Sequence, residues 1–249
     1  MIDLVMYGLL GAALGTLGGL FGIGGGLIAI PVLGLLFGLD QQLAQGTALV
    51  MVVPNVLLAL WRYHQRTRIE LRHALPLASM GFCFAWLGSI WAVGVDAQSM
   101  RLGFVVFLLA LGGYNLLRMF MASPKASGEM RYAWPWLGVL GAASGTMGGV
   151  FGVGGAVVAT PLLTSVFGTS QVVAQGLSLA LAAPSTTVTL VTYGVHGQVD
   201  WRMGAALAVG GLLSISWGVK LAYAMPEKLL RGLFCGFLAL CAVMLAFKV

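Results

Sequence analysis

Long apolar runs alternate with short polar segments along the whole chain, and this alternation predicts its elements. A membrane-spanning helix needs about 20 consecutive apolar residues, and several runs approach that length. The pattern predicts an all-α integral membrane protein. The predicted apolar segments are 4–21, 25–38, 44–61, 74–94, 102–120, 134–151, 155–168, 174–193, 203–223 and 231–247.

The first apolar stretch, residues 4–38, is too long to be one membrane helix. At 1.5 Å per residue, about 35 helical residues would span about 52 Å, whereas the hydrocarbon core is about 30 Å thick. Its centre is rich in glycine, which is unfavourable in a helix interior. A pair of broken helices or a re-entrant hairpin is therefore predicted here.

The chain contains the same motif twice. Residues 11–38 and 141–168 lie 130 positions apart and are identical at 16 of 28 positions. The same offset relates Tyr63 to Tyr193 and Arg72 to Arg202. Two homologous repeats of four to five membrane segments each are predicted. Their bounds are 1–121 and 133–249, with a cytoplasmic linker over 122–132.

Composition supports a membrane location. Of the 249 residues 59% are hydrophobic and 8% are charged, with a mean hydropathy of +0.98. Soluble proteins carry roughly 25% charged residues, so lipid is the expected solvent for this surface. The amino-terminal residues lack a basic region, so no cleaved signal is expected. The predicted location is the cell membrane, with several crossings, which is the inner membrane in a Gram-negative bacterium.

The net charge of +6 does not indicate nucleic-acid binding, because the basic residues lie in short segments between apolar runs. Under the positive-inside rule, the four arginines of segment 62–73 place it in the cytoplasm. If residues 134–168 cross the membrane twice, the basic segment 219–231 also lies inside and the two repeats are inverted. If they cross once, that segment lies outside, against the rule.

The duplicated glycine run has two parts with different interpretations. Gly11, Gly15 and Gly19 recur every four residues, which favours close helix packing. The glycines that follow let the chain leave the helix and restart it, so that two positive helix N-termini face an anion at the repeat interface. A purely structural hinge is the alternative. The predicted substrate-binding glycines are Gly22, Gly24, Gly25, Gly152, Gly154 and Gly155.

Paired prolines and uncharged polar residues lie within the apolar runs. A proline inside a helix removes a backbone donor and releases a carbonyl, so we predict helix breaks at Pro31, Pro54, Pro161 and Pro184. Nearby amides and hydroxyls could replace the hydration of an oxyanion, or could form hydrogen bonds between helices. The candidates for substrate contact are Gln45, Asn55, Gln175 and Ser185.

None of the seven carboxylates falls in the middle of an apolar run, so no buried proton relay is visible and an anionic or neutral substrate is favoured. No HExxH motif or clustered ligand set is present, and Cys83, Cys235 and Cys241 form no CxxC pair. We therefore expect no metal site, no cofactor and no enzymatic activity.

The glycine run of the first copy reads Gly-Gly-Leu-Phe-Gly-Ile-Gly-Gly-Gly, and that of the second reads Gly-Gly-Val-Phe-Gly-Val-Gly-Gly-Ala. A proline follows each run: Pro31 lies six residues after Gly25, and Pro161 lies six residues after Gly155. This pairing resembles the sulfite exporter TauE/SafE family over nearly the whole chain. The resemblance implies a multi-pass transporter exporting sulfite or organosulfonates. The second copy departs from the first at Ala156, where the first has Gly26.

The leading hypothesis is a secondary exporter of a small anion, with a small anionic substrate and the lipid bilayer as partners. A passive anion channel and a membrane assembly subunit without transport activity are the alternatives. The stripes of small residues also permit a homodimer.

Overall fold

The computed structural model describes residues 2–66, 69–120 and 135–246, and these form ten α-helices. No β-strand occurs within these ranges, so the predicted all-α fold class is confirmed. The linker 122–132 lies outside the described residues. The helices are α1 (Ile2–Phe21), α2 (Gly26–Phe37), α3 (Gln41–Arg66), α4 (Leu71–Val93), α5 (Ala97–Phe120), α6 (Pro135–Phe151), α7 (Ala156–Ser165), α8 (Gln171–Val195), α9 (Trp201–Ala224) and α10 (Glu227–Ala246).

Helix boundaries recur with the 130-residue separation that relates the two sequence copies. Helices α1 and α6 both end at the phenylalanine that precedes the glycine run, Phe21 or Phe151. Helices α3 and α8 both begin at a glutamine, Gln41 or Gln171. The predicted break within residues 4–38 is confirmed, because α1 ends at Phe21 and α2 begins only at Gly26. The orientation of the halves in the bilayer remains a prediction.

The lengths of the helices fit a multi-pass membrane protein. Six described helices, α1, α3, α4, α5, α8 and α9, are long and apolar enough to cross a bilayer. In contrast, α2 has 12 residues and α7 has 10, which correspond to about 18 Å and about 15 Å. These two short helices can reach only about half-way through the hydrocarbon. Large apolar side chains such as Trp86, Trp91 and Trp217 are exposed on the outer surface, where lipid is their solvent.

Glycine faces hold the outer helices together, as their spacing predicts. Helix α1 packs against α9, and α4 packs against α6. A methyl group added to Gly15 would lie 2.5 Å from the Cα of Gly211, and one added to Gly145 would lie 2.7 Å from the Cα of Gly81. Such close backbone approach replaces the hydrophobic driving force that lipid removes.

The predicted helix breaks at the prolines are wrong. Pro31 lies inside α2, Pro54 inside α3, Pro161 inside α7 and Pro184 inside α8, and each helix continues past its proline. A proline removes one backbone N–H and releases one carbonyl, but in these four helices the turns before and after it remain helical. In both copies the apolar stretch is instead broken at its glycine run, between Phe21 and Gly26 and between Phe151 and Ala156.

Helices α3 and α8 pack against each other and form the centre of the molecule. Helix α2 lies on α3, and α7 lies on α8. Helix α9 covers α3 on another side, while α4 covers α8, and α5 packs against α10. This arrangement places the short helices and the glycine loops beside the two most buried long helices.

Candidate substrate site at the glycine loops

Two glycine loops, residues 22–25 and 152–155, have positive φ at the same three positions. Gly22, Gly24 and Gly25 have φ values of +68°, +70° and +91°. Gly152, Gly154 and Gly155 have values of +67°, +76° and +72°. This left-handed region costs an L-residue about 1–2 kcal/mol, so glycine is the residue that the turn requires. The backbone N–H of Ile23 donates to the carbonyl of Gly18 at 3.0 Å, which folds the first loop back on α1.

Each glycine loop lies against a glutamine of the other half. A methyl group on Gly22 would lie 3.1 Å from the side chain of Gln175, and one on Gly152 would lie 3.2 Å from that of Gln45. The loops also approach each other, because a methyl group on Gly26 would lie 3.6 Å from the carbonyl oxygen of Gly152. The structure thus brings Gly22, Gly152, Gln45 and Gln175 together.

Two tyrosines orient these glutamines. The hydroxyl of Tyr63 donates to Oε1 of Gln175 at 3.1 Å, and the hydroxyl of Tyr193 donates to Oε1 of Gln45 at 2.8 Å. Both tyrosines are fully buried. Sequence reasoning did not include them in the site, although their match at the 130-residue offset was a usable signal.

The two glutamines differ in their remaining bonds. Nε2 of Gln175 donates to the carbonyl of Phe21 at 3.3 Å. Nε2 of Gln45, by contrast, has no hydrogen-bond partner. The hydroxyl of Tyr193, which contacts this glutamine, also lies 3.2 Å from the carbonyl oxygen of Val150. Gln45 is fully buried, so this amide is a donor without an acceptor in the centre of the molecule.

Asn55 and Ser185 contact backbone carbonyls of the glycine loops. Nδ2 of Asn55 donates to the carbonyl of Gly24 at 3.5 Å. The hydroxyl of Ser185 lies 3.1 Å from the carbonyl oxygen of Gly154 and 2.9 Å from that of Leu181 in its own helix, and its single proton is shared between them. Each contact joins a loop to the long central helix of its own half. Oδ1 of Asn55 is buried and has no partner.

Gly25 and Gly155 are the N-cap residues of α2 and α7. A methyl group on Gly25 would lie 2.7 Å from the carbonyl oxygen of Leu14, and one on Gly155 would lie 2.5 Å from that of Ser144. Each therefore lies against the helix that precedes it, which fixes where the short helix begins.

A small cavity with both polar and apolar walls adjoins Gln175. Its volume is about 30 Å³, enough for about two water molecules. Sequence reasoning missed its polar walls on α7, where Thr160 and Thr164 stand one turn apart. The signal was present, because the matching positions of α2 are Ile30 and Gly34. The cavity is lined by Phe21, Ile23, Asn115, Val157, Thr160, Pro161, Thr164, Gln171, Gln175, Leu230 and Phe234.

No Asp, Glu, Lys or Arg residue is buried among the described residues, although Nε of the half-buried Arg62 is enclosed. The buried polar side chains are those of Gln, Asn, Ser and Thr residues, together with Tyr63 and Tyr193. The described carboxylates lie at helix N-termini, where the helix dipole favours negative charge. They are Asp3, Asp40, Glu70, Asp96 and Asp200. The backbone N–H of Ser99 donates to Asp96 at 2.8 Å and lowers the pKa of that carboxyl. No group of three or more potential metal ligands occurs among the residues that the structure describes.

Comparison with known proteins gives a match over nearly the whole chain. A family model described as sulfite exporter TauE/SafE matches residues 7–245. A probable membrane transporter protein of Xylella fastidiosa is 30% identical over 232 residues, which cover 91% of this chain and 87% of that protein. A probable membrane transporter protein of Methanocaldococcus jannaschii is 24% identical over 237 residues, covering 90% and 88%. The Arabidopsis thaliana sulfite exporter TauE/SafE family protein 3 is 30% identical over 126 residues, covering 47% and 26%.

Proposed function

The chain belongs to the sulfite exporter TauE/SafE family and is a membrane transporter, and from this premise we propose that it exports a small oxyanion by secondary transport. Sulfite and organosulfonates, which carry a compact sulfur oxyanion, are the proposed substrate class. The proposed site is the junction of the two glycine loops, with Gln45 and Gln175 as the residues that contact the anion.

The observation that carries this proposal is the unpartnered Nε2 of Gln45. A buried donor without an acceptor costs about 1–3 kcal/mol, and an anion oxygen would recover that energy by accepting the bond. Hydrogen bonds to a charged acceptor are stronger than neutral ones, which favours an oxyanion over a neutral ligand.

The absence of charge from the described interior supports transport rather than permanent binding. Conduction requires a site that an ion enters readily and also leaves. Amide and hydroxyl donors replace hydration without the strong attraction of a buried Lys or Arg. No carboxylate is buried among the described residues. A buried carboxylate would serve a cation transporter, but it would repel an anion.

We place the two halves in opposite orientations as part of this proposal. The packing of α1 on α9 corresponds to that of α6 on α4 when the halves are exchanged. The distribution of basic segments under the positive-inside rule favours the inverted arrangement. Inverted halves that meet around a central site are a common architecture of secondary transporters.

The test is sulfite and sulfoacetate flux in proteoliposomes with the variant Gln45→Glu. This change replaces a donor with a carboxylate of the same size, so flux should fall about tenfold to hundredfold. Gln65→Glu is the matched control, because Gln65 is exposed near the end of the same helix and should retain wild-type flux. Gln45→Met is the second variant in case the buried carboxylate lowers the yield of folded protein.

Four outcomes separate the alternatives. Wild-type flux that follows an imposed proton or sodium gradient supports secondary transport. Flux that follows only the gradient of the anion itself supports a passive channel. Unchanged flux in both Gln45 variants removes the proposed site, and no flux of either anion in the wild type favours an assembly subunit.

A further inference from the structure

The first two turns of α3 carry two buried glutamines, Gln41 and Gln45, whose Nε2 atoms have no hydrogen-bond partner among the described residues. Gln41 is 3% exposed and Gln45 is fully enclosed. Glutamine is mostly an exposed residue, and one at the start of a helix can ordinarily turn its amide to water. Gln45 already belongs to the proposed site, whereas Gln41 has no role in it. These two residues are called the α3 glutamine pair below.

The other polar side chains of these turns do have partners. Nε2 of Gln42 donates to the carbonyl of Val95 at 2.6 Å, and Oγ1 of Thr47 accepts from the backbone N–H of Asp200 at 2.9 Å. These bonds tie α3 to the segment before α5 and to the N-cap of α9. The start of α3 is thus held from two sides, and the unpartnered donors belong to the glutamine pair.

The two glutamines lie four residues apart, and residues with this spacing lie on the same face of a helix. Four residues rise about 6 Å along the axis, and an N–H···O hydrogen bond is about 2.9 Å long. One oxyanion placed between the two amides could therefore accept from both. The matching residues of α8, Gln171 and Gln175, have the same spacing and line one cavity together.

In the second half, donors near the matching positions are used within the protein. Nε2 of Gln175 donates to the carbonyl of Phe21 at 3.3 Å. The hydroxyls of Thr160 and Thr164 donate to carbonyls of their own helix, at 2.8 Å and 3.2 Å. An anion would have to compete with these bonds, whereas the α3 glutamine pair offers donors that are already available.

The surroundings of the α3 glutamine pair favour a negatively charged acceptor. Gln41 is the first residue of α3, where the helix dipole gives partial positive charge. Asp40, the residue before it, is exposed rather than buried with the pair. Oε1 of Gln45 already accepts from Tyr193, so this amide has its donor side left for a ligand. A charged acceptor gains more from such donors than a neutral one does.

We propose that Gln41 is a further substrate-contacting residue, and that the amides of Gln41 and Gln45 donate to the same oxyanion. The inference rests on the proposed function and adds a residue to its site. It also specifies the chemistry that the pair recognises, which is a group with two or more acceptor oxygens on one centre, such as sulfite or the sulfonate end of an organosulfonate.

The experiment measures equilibrium binding of radiolabelled sulfite to the purified full chain, together with the thermal unfolding midpoint without anion. Gln41→Met keeps the approximate size of the side chain and removes the donor, so affinity should fall about tenfold to hundredfold. The unfolding midpoint should stay the same or rise, because an unsatisfied buried donor is removed. Gln98→Met is the matched control, since Gln98 is exposed in the first turn of α5 and should keep wild-type affinity.

Two further variants complete the set. Gln45→Met should lose affinity to a similar extent, and in both methionine variants the whole binding curve should shift, because both amides hold one anion. Gln41→Asn withdraws the amide by one methylene and serves if Gln41→Met gives no folded protein, and it should also lose affinity.

Wild-type affinity in the folded Gln41 variant would overturn the inference, while a loss in Gln45→Met would still leave the proposed site intact. Loss of affinity with a lowered unfolding midpoint in Gln41→Met would also overturn it, because a structural role predicts that result. A binding curve of which only one part shifts would show two separate anions and contradict the shared site. No saturable binding and no flux in the wild type would remove the proposed function and this inference together.

Discussion

Replacing Gly24 by alanine tests whether the glycine loop is held by its surroundings as well as by its own backbone. Gly24 has a φ of +70°, and an added methyl group would lie 2.5 Å from Cγ2 of Val56. Gly38 is a matched control in the same half. It has a φ of +68°, and a methyl group there would have nothing within 4 Å.

The two substitutions share one energetic cost and differ in the other. Placing alanine in the left-handed region costs about 1–2 kcal/mol at either position. Overpacking against Val56 adds about 1–3 kcal/mol at Gly24 alone. The expected loss of unfolding free energy is therefore about 2–5 kcal/mol for Gly24→Ala and about 1–2 kcal/mol for Gly38→Ala.

The assay is denaturant unfolding of detergent-solubilised protein, followed by sulfite flux in proteoliposomes. Gly24→Ala should also reduce flux. Gly24 carries the carbonyl that Asn55 contacts, and it belongs to the loop that packs on Gln175. Gly38→Ala should retain flux. Equal destabilisation by both substitutions would refute the reasoning, since it would show that Val56 yields without cost.

Two further predictions concern helix packing and the orientation of Gln45. Gly15→Ala should lower the unfolding free energy by about 1–3 kcal/mol, because the added methyl group overpacks against α9. Gly8→Ala is the control: a methyl group there has nothing within 4 Å, so the unfolding free energy should stay unchanged or rise by up to about 1 kcal/mol. The same denaturant titration measures both variants. Tyr193→Phe removes the hydrogen bond to Oε1 of Gln45 and should reduce flux more than Tyr63→Phe does. In Tyr63→Phe, the side chain of Gln175 keeps its bond to the carbonyl of Phe21, whereas Gln45 has no second bond to hold it. Equal losses of flux in the two variants would contradict this.

Local chemistry allowed most of the helices to be predicted. Apolar run length determines which segments can cross a bilayer, and the break between Phe21 and Gly26 follows from glycines that tolerate positive φ. The prolines were misjudged for the opposite reason. Whether a helix continues past Pro54 depends on the helices packed around it, which no local pattern records.

Part of the candidate site followed from the duplicated sequence, because Gln45 and Gln175 occupy matching positions beside matching loops. The tyrosines that orient them were not predicted as site residues. Tyr63 contacts a residue 112 positions away and Tyr193 one 148 positions away, so only the packing of α3 against α8 brings them together.

By itself, the sequence determined the membrane location, the helical class, the position of the glycine breaks and the family, because these depend on composition, run length and local backbone preference. Only the tertiary structure decided that each loop lies against the glutamine of the other half, and that Tyr63 and Tyr193 reach those glutamines. Those features depend on which surfaces meet after more than about a hundred residues of intervening chain, and the packing of all the helices together makes that choice.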